Sequence, residues 1–239
     1  RYAKLLDENA EVTVAGRERP VREALAERVA AELDGEERVG FPAVLGDDDA
    51  GVRTALGERL GADVFEVPTG PPSLPGLRLE DALFEALDAG GASVETGNPV
   101  TDHDGTDRVD RVYVEKNGAR VPYAADQFVL ATGGLVGKGV ESDRDGVYEP
   151  VFDCHVDHAA DRYDWFDDAA FGDHQFPRFG VTTDADLRPK DGDGTVEFDN
   201  LRAAGSVLGG YDFAAEKSGG GVSIATGYVA GRSAAEAIR

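Results

Sequence analysis

The chain of 239 residues is poor in sulfur, with one cysteine, Cys154, and no methionine. A single cysteine excludes an internal disulfide framework and is typical of chains that fold in a reducing compartment, which favours a cytoplasmic location. The sequence also lacks a signal peptide and any long apolar run, so we expect no direct insertion into a membrane. Because it opens at Arg1 without an initiator methionine, we interpret it as a fragment of a longer protein.

Basic residues are scarce, with 24 Lys and Arg against 47 Asp and Glu and a formal net charge of -23. Such a charge repels nucleic acid and anionic membrane surfaces, which excludes both as direct partners. Arginine outnumbers lysine and isoleucine is rare, a composition that indicates adaptation to high salt, as in halophilic proteins. We interpret the acidic residues as a solvated surface, with an acidic binding surface as the alternative.

The first third of the chain has the pattern of an α/β segment. Its predicted elements are a strand at 11–15, a helix at 20–33 that opens on proline, an apolar run at 39–45, a helix capped by Asp47–Asp49 that ends at Leu60, and a strand at 63–67. The densest Pro/Gly tract, 68–76, predicts a boundary or an active-site loop.

The middle of the chain predicts a helix followed by a meander. The expected elements are a helix at 78–89 ended by Gly90 and Gly91, and strands at 94–100, 108–116 and 121–128, the last two joined by a hairpin turn at Asn117-Gly118. Residues 139–193 have weak periodicity and predict irregular structure. A helix at 222–238 closes the chain.

Two apolar runs, Gln127–Gly134 and Asn200–Ser206, end at glycine and predict buried strands whose ends a ligand can approach. Three glycines then precede the last helix, whose free N–H groups and dipole favour an electron-rich group. Tight helix packing alone is the other interpretation. The predicted cofactor-binding residues are Ala131, Thr132, Gly133, Gly134, Gly205, Ser206, Gly209, Gly210, Gly219, Gly220, Gly221 and Val222.

Together with Phe179–Pro189 and Gly205–Gly210, these runs resemble flavoprotein dehydrogenases, and among them the B subunits of anaerobic glycerol-3-phosphate dehydrogenases, from about Phe41 onward. The resemblance implies an α/β fold of the FAD/NAD(P)-binding type with a β-meander or hairpin and an α/β cap. That family opens with a Gly-x-Gly-x-x-Gly βαβ unit, which we expect this chain to lack. The implied domains are a cap segment at 1–76, flavin-domain segments at 77–134 and 195–239, and an irregular cap segment at 135–194.

The resemblance further implies a flavin-dependent subunit of a complex that oxidises sn-glycerol 3-phosphate to dihydroxyacetone phosphate and passes electrons towards quinone. FMN is the implied cofactor and FAD the alternative. The subunit would receive the substrate itself, or electrons from a partner flavoprotein subunit, and an iron–sulfur subunit would attach the complex peripherally to the membrane. Because the phosphate-binding turn is absent, we expect this fragment to retain flavin weakly and to be inactive alone.

Several polar residues are candidates for chemistry on an alcohol. His155, and after it His158, could take the hydroxyl proton during hydride transfer. With Cys154 and the nearby His174 they could instead bind metal, but the spacing fits no common structural zinc pattern, and we predict no metal. Surface or hydrogen-bonded histidines are the further alternative.

A phosphorylated substrate favours arginine, whose planar guanidinium binds phosphate in a bidentate manner. Arg178 and Arg188 are the candidates, with Lys217 a third; ion pairing with the abundant aspartates is the other interpretation. Aromatic residues between Tyr163 and Phe179 could stack on a ring or form local core.

Two other functions are compatible with the residues. One is a generic flavin reductase of the fumarate reductase type, and the other is an electron-relay and interaction subunit that has no substrate site of its own.

Overall fold

A computed structural model of the chain describes residues 2–46, 51–69 and 73–239. The chain forms two compact units, Arg1–Glu95 and Thr96–Arg239, both of mixed α/β structure. Among the described residues, no helix is both long enough and apolar enough to cross a membrane.

The described residues of the first unit form a hairpin, a parallel strand pair and four helices. Its elements are α1 (Tyr2–Asp7), β1 (Glu11–Val14), β2 (Arg17–Pro20), α2 (Val21–Ala30), β3 (Arg38–Pro42), α3 (Gly51–Leu60), β4 (Asp63–Val67) and α4 (Leu74–Ala89). Strands β3 and β4 pair in parallel and are joined through α3, which is a βαβ arrangement. The predicted strand at 63–67 and the helix that ends at Leu60 are confirmed; the predicted cap Asp47–Asp49 lies outside the described residues.

The predicted apolar stripe of α2 faces the core of the first unit. Val21, Leu25, Val29 and Leu33 pack against a buried cluster that includes Leu56. The stripe of α4 behaves differently, because α4 has no buried residue and Leu79 and Leu83 are 60% and 55% exposed. This helix begins four residues earlier than predicted, since Ser73 caps it by accepting a hydrogen bond from the Gly76 N–H.

The second unit contains a meander, one parallel strand pair and a long last helix. Its strands are β5 (Val100–Gly105), β6 (Val109–Lys116), β7 (Ala119–Tyr123), β8 (Phe128–Leu130), β9 (Glu141–Ser142), β10 (Val147–Tyr148), β11 (Val156–Asp157), β12 (Gly180–Val181) and β13 (Leu201–Ala203). Its helices are α5 (Phe213–Glu216) and α6 (Gly219–Ala237), with 3-10 turns at Arg162–Asp164, Phe176–Arg178 and Gly205–Val207.

The predicted hairpin at Asn117-Gly118 is confirmed. These two residues have φ of 53° and 76°, as a type I′ turn requires, and they join β6 to β7 in a three-stranded antiparallel sheet with β5. The predicted strand at 94–100 is wrong, because pairing with β6 begins only at Val100. The predicted 121–128 strand divides into β7 and β8 around residues 124–127.

The buried Asn200 joins the parallel pair to the meander. The Asn200 side chain accepts a hydrogen bond from the Val109 N–H at 2.8 Å and donates one to the Val109 carbonyl at 2.9 Å. The backbone carbonyl of Asn200 accepts a hydrogen bond from the Phe128 N–H at 2.9 Å. These bonds fix the register in which β13 pairs with β8, Leu201 opposite Phe128. The carboxyl ends of both strands therefore lie at one edge of the sheet.

Candidate functional site

The glycine segments that follow β8 and β13 are in direct contact. A Cβ added at Gly134 would lie 2.6 Å from the Ser206 carbonyl oxygen, a distance that no side chain tolerates. Gly205, at φ 77°, opens the 3-10 turn after β13 in a backbone conformation that favours glycine. The two glycine-ended segments predicted to approach a ligand are thus brought together.

Helix α6 is tied to the same place. The Gly205 N–H donates to the Thr226 hydroxyl oxygen at 2.9 Å, and that hydroxyl donates in turn to the Val222 carbonyl at 2.6 Å. The helix begins three residues earlier than predicted, so Gly219, Gly220 and Gly221 form its first turn. The N–H groups of a first turn have no acceptor within their own helix, which leaves them available to a ligand.

A cavity of about 320 Å³ lies between these elements. Its volume falls at the lower end of the roughly 300–1,000 Å³ range of small-molecule sites. Its lining residues are Gly134, Leu135, Val136, Gly137, Phe176, Pro177, Phe179, Ser206, Tyr211, Phe213, Gly219, Gly220 and Ser223.

The cavity combines apolar walls with a few polar groups. Leucine, valine, proline and phenylalanine make up six of the thirteen lining residues. The first turn of α6 supplies N–H groups and a partial positive charge of about +0.5. The Tyr211 hydroxyl is buried and has no hydrogen-bond partner among the described residues. Burial also raises the pKa of Tyr211. Such a site fits a flat apolar ring with a polar, electron-rich edge.

The predicted cofactor residues divide into two groups. Gly134, Ser206, Gly219 and Gly220 line the cavity. The other eight are near these residues in the sequence but do not line the cavity; they are Ala131, Thr132, Gly133, Gly205, Gly209, Gly210, Gly221 and Val222. Gly209 has a packing role, because its N–H donates to the Val181 carbonyl and a Cβ on Gly180 would lie 2.4 Å from its nitrogen.

The histidines are not among the lining residues. His155 is exposed, and its backbone N–H donates to Glu197 at 3.0 Å. The ring of His158 contacts the Val156 carbonyl through Nδ1 at 2.8 Å and packs edge-on against Trp165 and Phe179. Their assignment to proton transfer stays a prediction.

Both candidate arginines are paired with aspartates. Arg178 contacts Asp173 at 2.7 Å and Asp212 at 3.2 Å, and the hydrogen bond to Asp173 raises its pKa. Arg188 contacts Asp184 at 2.8 Å. Despite burial, which opposes the change, hydrogen bonds from Arg188 lower the pKa of Asp184. The Lys217 ammonium donates to the Ala214 carbonyl. Both arginines therefore form ion pairs with aspartates, which is the other interpretation that the sequence allowed beside phosphate binding.

Cys154 is buried, and its thiol donates to the Glu197 carboxylate. Burial, followed by the charge of Glu197, raises the pKa of this thiol well above its usual range. Within residues 2–46, 51–69 and 73–239, no group of three or more His, Cys, Asp or Glu side chains could hold a metal ion.

Sequence reasoning missed several lining residues, chiefly Tyr211 and Phe213. The sequence itself indicated these two aromatic residues, since both lie between Gly210 and the glycines of the last helix. Phe176 and Phe179, left open between ring stacking and core, line the cavity.

The sequence model of a family described as "FAD binding domain" matches residues 8–222. It supports FAD as the cofactor and does not support FMN, the cofactor implied first by the sequence resemblance. No solved structure matches the chain.

Curated relatives from Halobacterium salinarum and Vibrio cholerae are both named as B subunits of anaerobic glycerol-3-phosphate dehydrogenases. The chain is a homologue of the B subunit of the "probable anaerobic glycerol-3-phosphate dehydrogenase" of Halobacterium salinarum, with 68% identity over 240 residues that cover 100% of this chain and 56% of the relative. The B subunit of the anaerobic glycerol-3-phosphate dehydrogenase of Vibrio cholerae is 36% identical over 79% of this chain and 43% of its own length. The chain thus spans about half the length of the curated relatives it matches.

Proposed function

The chain belongs to the FAD binding domain family, and from this premise we propose that it forms the flavin-ring site of a flavin-dependent subunit in an anaerobic glycerol-3-phosphate dehydrogenase complex. The single observation that carries the proposal is the cavity at which the β8 end, the β13 end and the first turn of α6 meet. Its apolar walls and free N–H groups suit an isoalloxazine ring.

Bound FAD would supply the acceptor for a hydride and its electron pair. The residues of this chain provide the surroundings for that chemistry. Glycine at 134 lets the two strand ends approach each other, because a Cβ there would lie 2.6 Å from the Ser206 carbonyl oxygen. Phe176, Phe179 and Leu135 line the cavity, so a bound ring would displace water from an apolar wall and electrostatic interactions at its polar edge would be strengthened.

The first turn of α6 supports the reduced form of a flavin in particular. Two-electron reduction places negative charge on the pyrimidine side of the ring. No Asp or Glu is among the residues that line the cavity, so no lining carboxylate would repel that charge near the N–H groups of Gly219 and Gly220. Oriented N–H groups and a helix dipole stabilise such charge and raise the reduction potential.

The names of the relatives support sn-glycerol 3-phosphate as the substrate, and the resemblance of the sequence supports the transfer of electrons towards quinone. The naming of those relatives as B subunits supports a complex of several subunits, in which we propose an iron–sulfur partner at the membrane. His155 stays the first candidate for the base and His158 the second.

One observation favours a second candidate function. The described lining of the cavity contains no histidine to take a proton and no arginine or lysine to bind a phosphate. A subunit that relays electrons and has no substrate site of its own needs none of these side chains. In that case a partner subunit would oxidise the substrate and this flavin would only accept electrons.

A single series of measurements separates these functions. The full-length Halobacterium salinarum relative is purified anaerobically, its visible spectrum is recorded, and the released flavin is identified by mass. We expect stoichiometric FAD that bleaches on addition of glycerol 3-phosphate. Bleaching only in the presence of a partner subunit supports the relay function, and a colourless protein contradicts a flavin site.

A further inference from the structure

A second cavity, of about 480 Å³, borders the same glycine-rich turn within the second unit. Thr132, Lys138 and Gly139 line it, whereas Gly134 to Gly137 of that turn line the first cavity. The Gly139 N–H closes the turn by donating to the Gly134 carbonyl at 3.2 Å. One turn therefore presents residues to both cavities.

The second cavity differs from the first in its polar groups. Besides Lys138, the residues that line it include Thr101, Thr132 and Glu141, whose carboxylate also accepts a hydrogen bond from the Tyr148 hydroxyl at 3.4 Å. Thr101 lies where the pairing of β5 with β6 shifts register between Val100 and Asp102. Such bulges redirect side chains and are frequent next to binding sites.

The Lys138 ammonium makes no ion pair or hydrogen bond with any residue that the structure describes, which sets it apart from Arg178 and Arg188. In a chain of net charge -23, most of the surface repels an anion. A cavity that offers an uncommitted cation beside hydroxyl and carboxylate groups is suited to a ligand with one anionic end and one hydroxylated end.

We propose that this cavity binds the phosphate monoester of a small polyol, with the Lys138 ammonium on the phosphate and Thr101, Thr132 and Glu141 on the hydroxyl groups. The inference rests on the proposed function, which it deepens by placing the phosphate on Lys138 rather than on the two aspartate-paired arginines. Ammonium groups bind phosphate as point charges through charge-assisted hydrogen bonds.

Calorimetric titration of the chain with glycerol 3-phosphate tests the proposal, using K138Q, K138R and the control K190Q. Lys190 lies in the same unit but outside the cavity lining, so K190Q makes the same change of charge elsewhere. We expect K138Q to weaken binding roughly tenfold or more, and K138R and K190Q to stay within about threefold of the parent chain. Glycerol without phosphate should bind equally to all four proteins.

Three outcomes would overturn the proposal: no binding by the parent chain, equal binding by K138Q, or an equal loss in K190Q. If equal binding of glycerol 3-phosphate by K138Q comes with a loss of FAD affinity and an unchanged affinity for riboflavin, the lysine serves the cofactor phosphates instead. Since these titrations need no flavin, Lys138-dependent binding by this chain, together with a full-length relative that holds no flavin, would refute the proposed function alone. A flavin-loaded protein that binds the substrate independently of Lys138 would refute this inference alone.

Discussion

At the scale of single residues, Tyr211 is the residue of the proposed flavin cavity whose polar group lacks a partner among the described residues. Its hydroxyl is buried without a partner among the described residues, although its ring helps to form the wall. A buried hydroxyl that makes no hydrogen bond costs about 1–3 kcal/mol relative to one that is satisfied. A ligand whose binding turned this hydroxyl towards a hydrogen-bond partner in the cavity would remove that cost.

We therefore expect Y211F to have opposite effects on the free and the bound protein. Removing the hydroxyl should leave unfolding free energy unchanged or raise it by about 1 kcal/mol, and should weaken FAD binding by roughly fivefold or more. Urea unfolding and flavin fluorescence titration measure the two effects. Y228F is the matched control, since Tyr228 is exposed on α6 and should change neither quantity. Equal FAD affinities for Y211F and the parent chain would contradict the role of the hydroxyl.

Glu149 provides a prediction about pH. It is 1% exposed, and burial raises its pKa above the usual 4.5 even though the Phe152 and Val151 N–H groups donate to its carboxylate. A carboxyl group whose pKa is raised by folding binds its proton more tightly in the folded state. Its stabilising contribution is complete below the unfolded pKa and is lost as the pH rises through the folded pKa.

We accordingly expect the unfolding free energy of the parent chain to fall relative to that of E149Q as the pH rises above about 4.5. Urea unfolding of both proteins over a pH series measures this difference. E141Q serves as the control, because Glu141 is exposed and the substitution makes the same chemical change outside the core. A difference that grows in favour of the parent chain with rising pH would contradict burial as the dominant influence.

At the proposed cofactor site, the sequence predicted close approach of the backbone at Gly134, and the contact of Gly134 with the Ser206 carbonyl oxygen shows why glycine is required there. The pairing state of Arg178 was not, because each arginine of an acid-rich chain has many possible aspartate partners and only the fold selects Asp173 and Asp212. The unpartnered hydroxyl of Tyr211 is likewise a property of packing, which no local pattern encodes.

At the scale of elements, prediction succeeded where local chemistry dominates. Asn117-Gly118 demands a type I′ turn and therefore fixes a hairpin without help from the rest of the chain. The start of α6 was predicted three residues late, because Gly219–Gly221 have poor intrinsic helix propensity. The contact of Thr226 on the helix with the Gly205 N–H provides tertiary support that propensity does not include.

At the scale of the whole molecule, the net charge of -23 dominates the behaviour expected in solution. Acidic groups repel one another more strongly in the compact state than in the unfolded chain, and salt screens that repulsion. We expect the thermal midpoint to fall steadily as KCl is withdrawn. Circular dichroism melts over a KCl series measure it, with an uncharged osmolyte as the control that should not replace the salt. A midpoint independent of KCl would contradict this account of the surface.

The central claim is that the two glycine-ended strands and the first turn of α6 enclose the ring of a flavin. The most direct test is the FAD affinity of G220L compared with that of G227L. A Cβ at either glycine meets no atom within 4 Å, so both variants should fold, but only Gly220 lines the cavity.

Both variants are made in this chain, with the equivalent changes in the full-length Halobacterium salinarum relative, and FAD binding is followed by flavin fluorescence. We predict that G220L loses affinity roughly tenfold or more, because its side chain occupies the cavity, and that G227L binds as the parent protein does. Equal affinity for FAD in G220L and G227L, with both proteins folded, would contradict the claim.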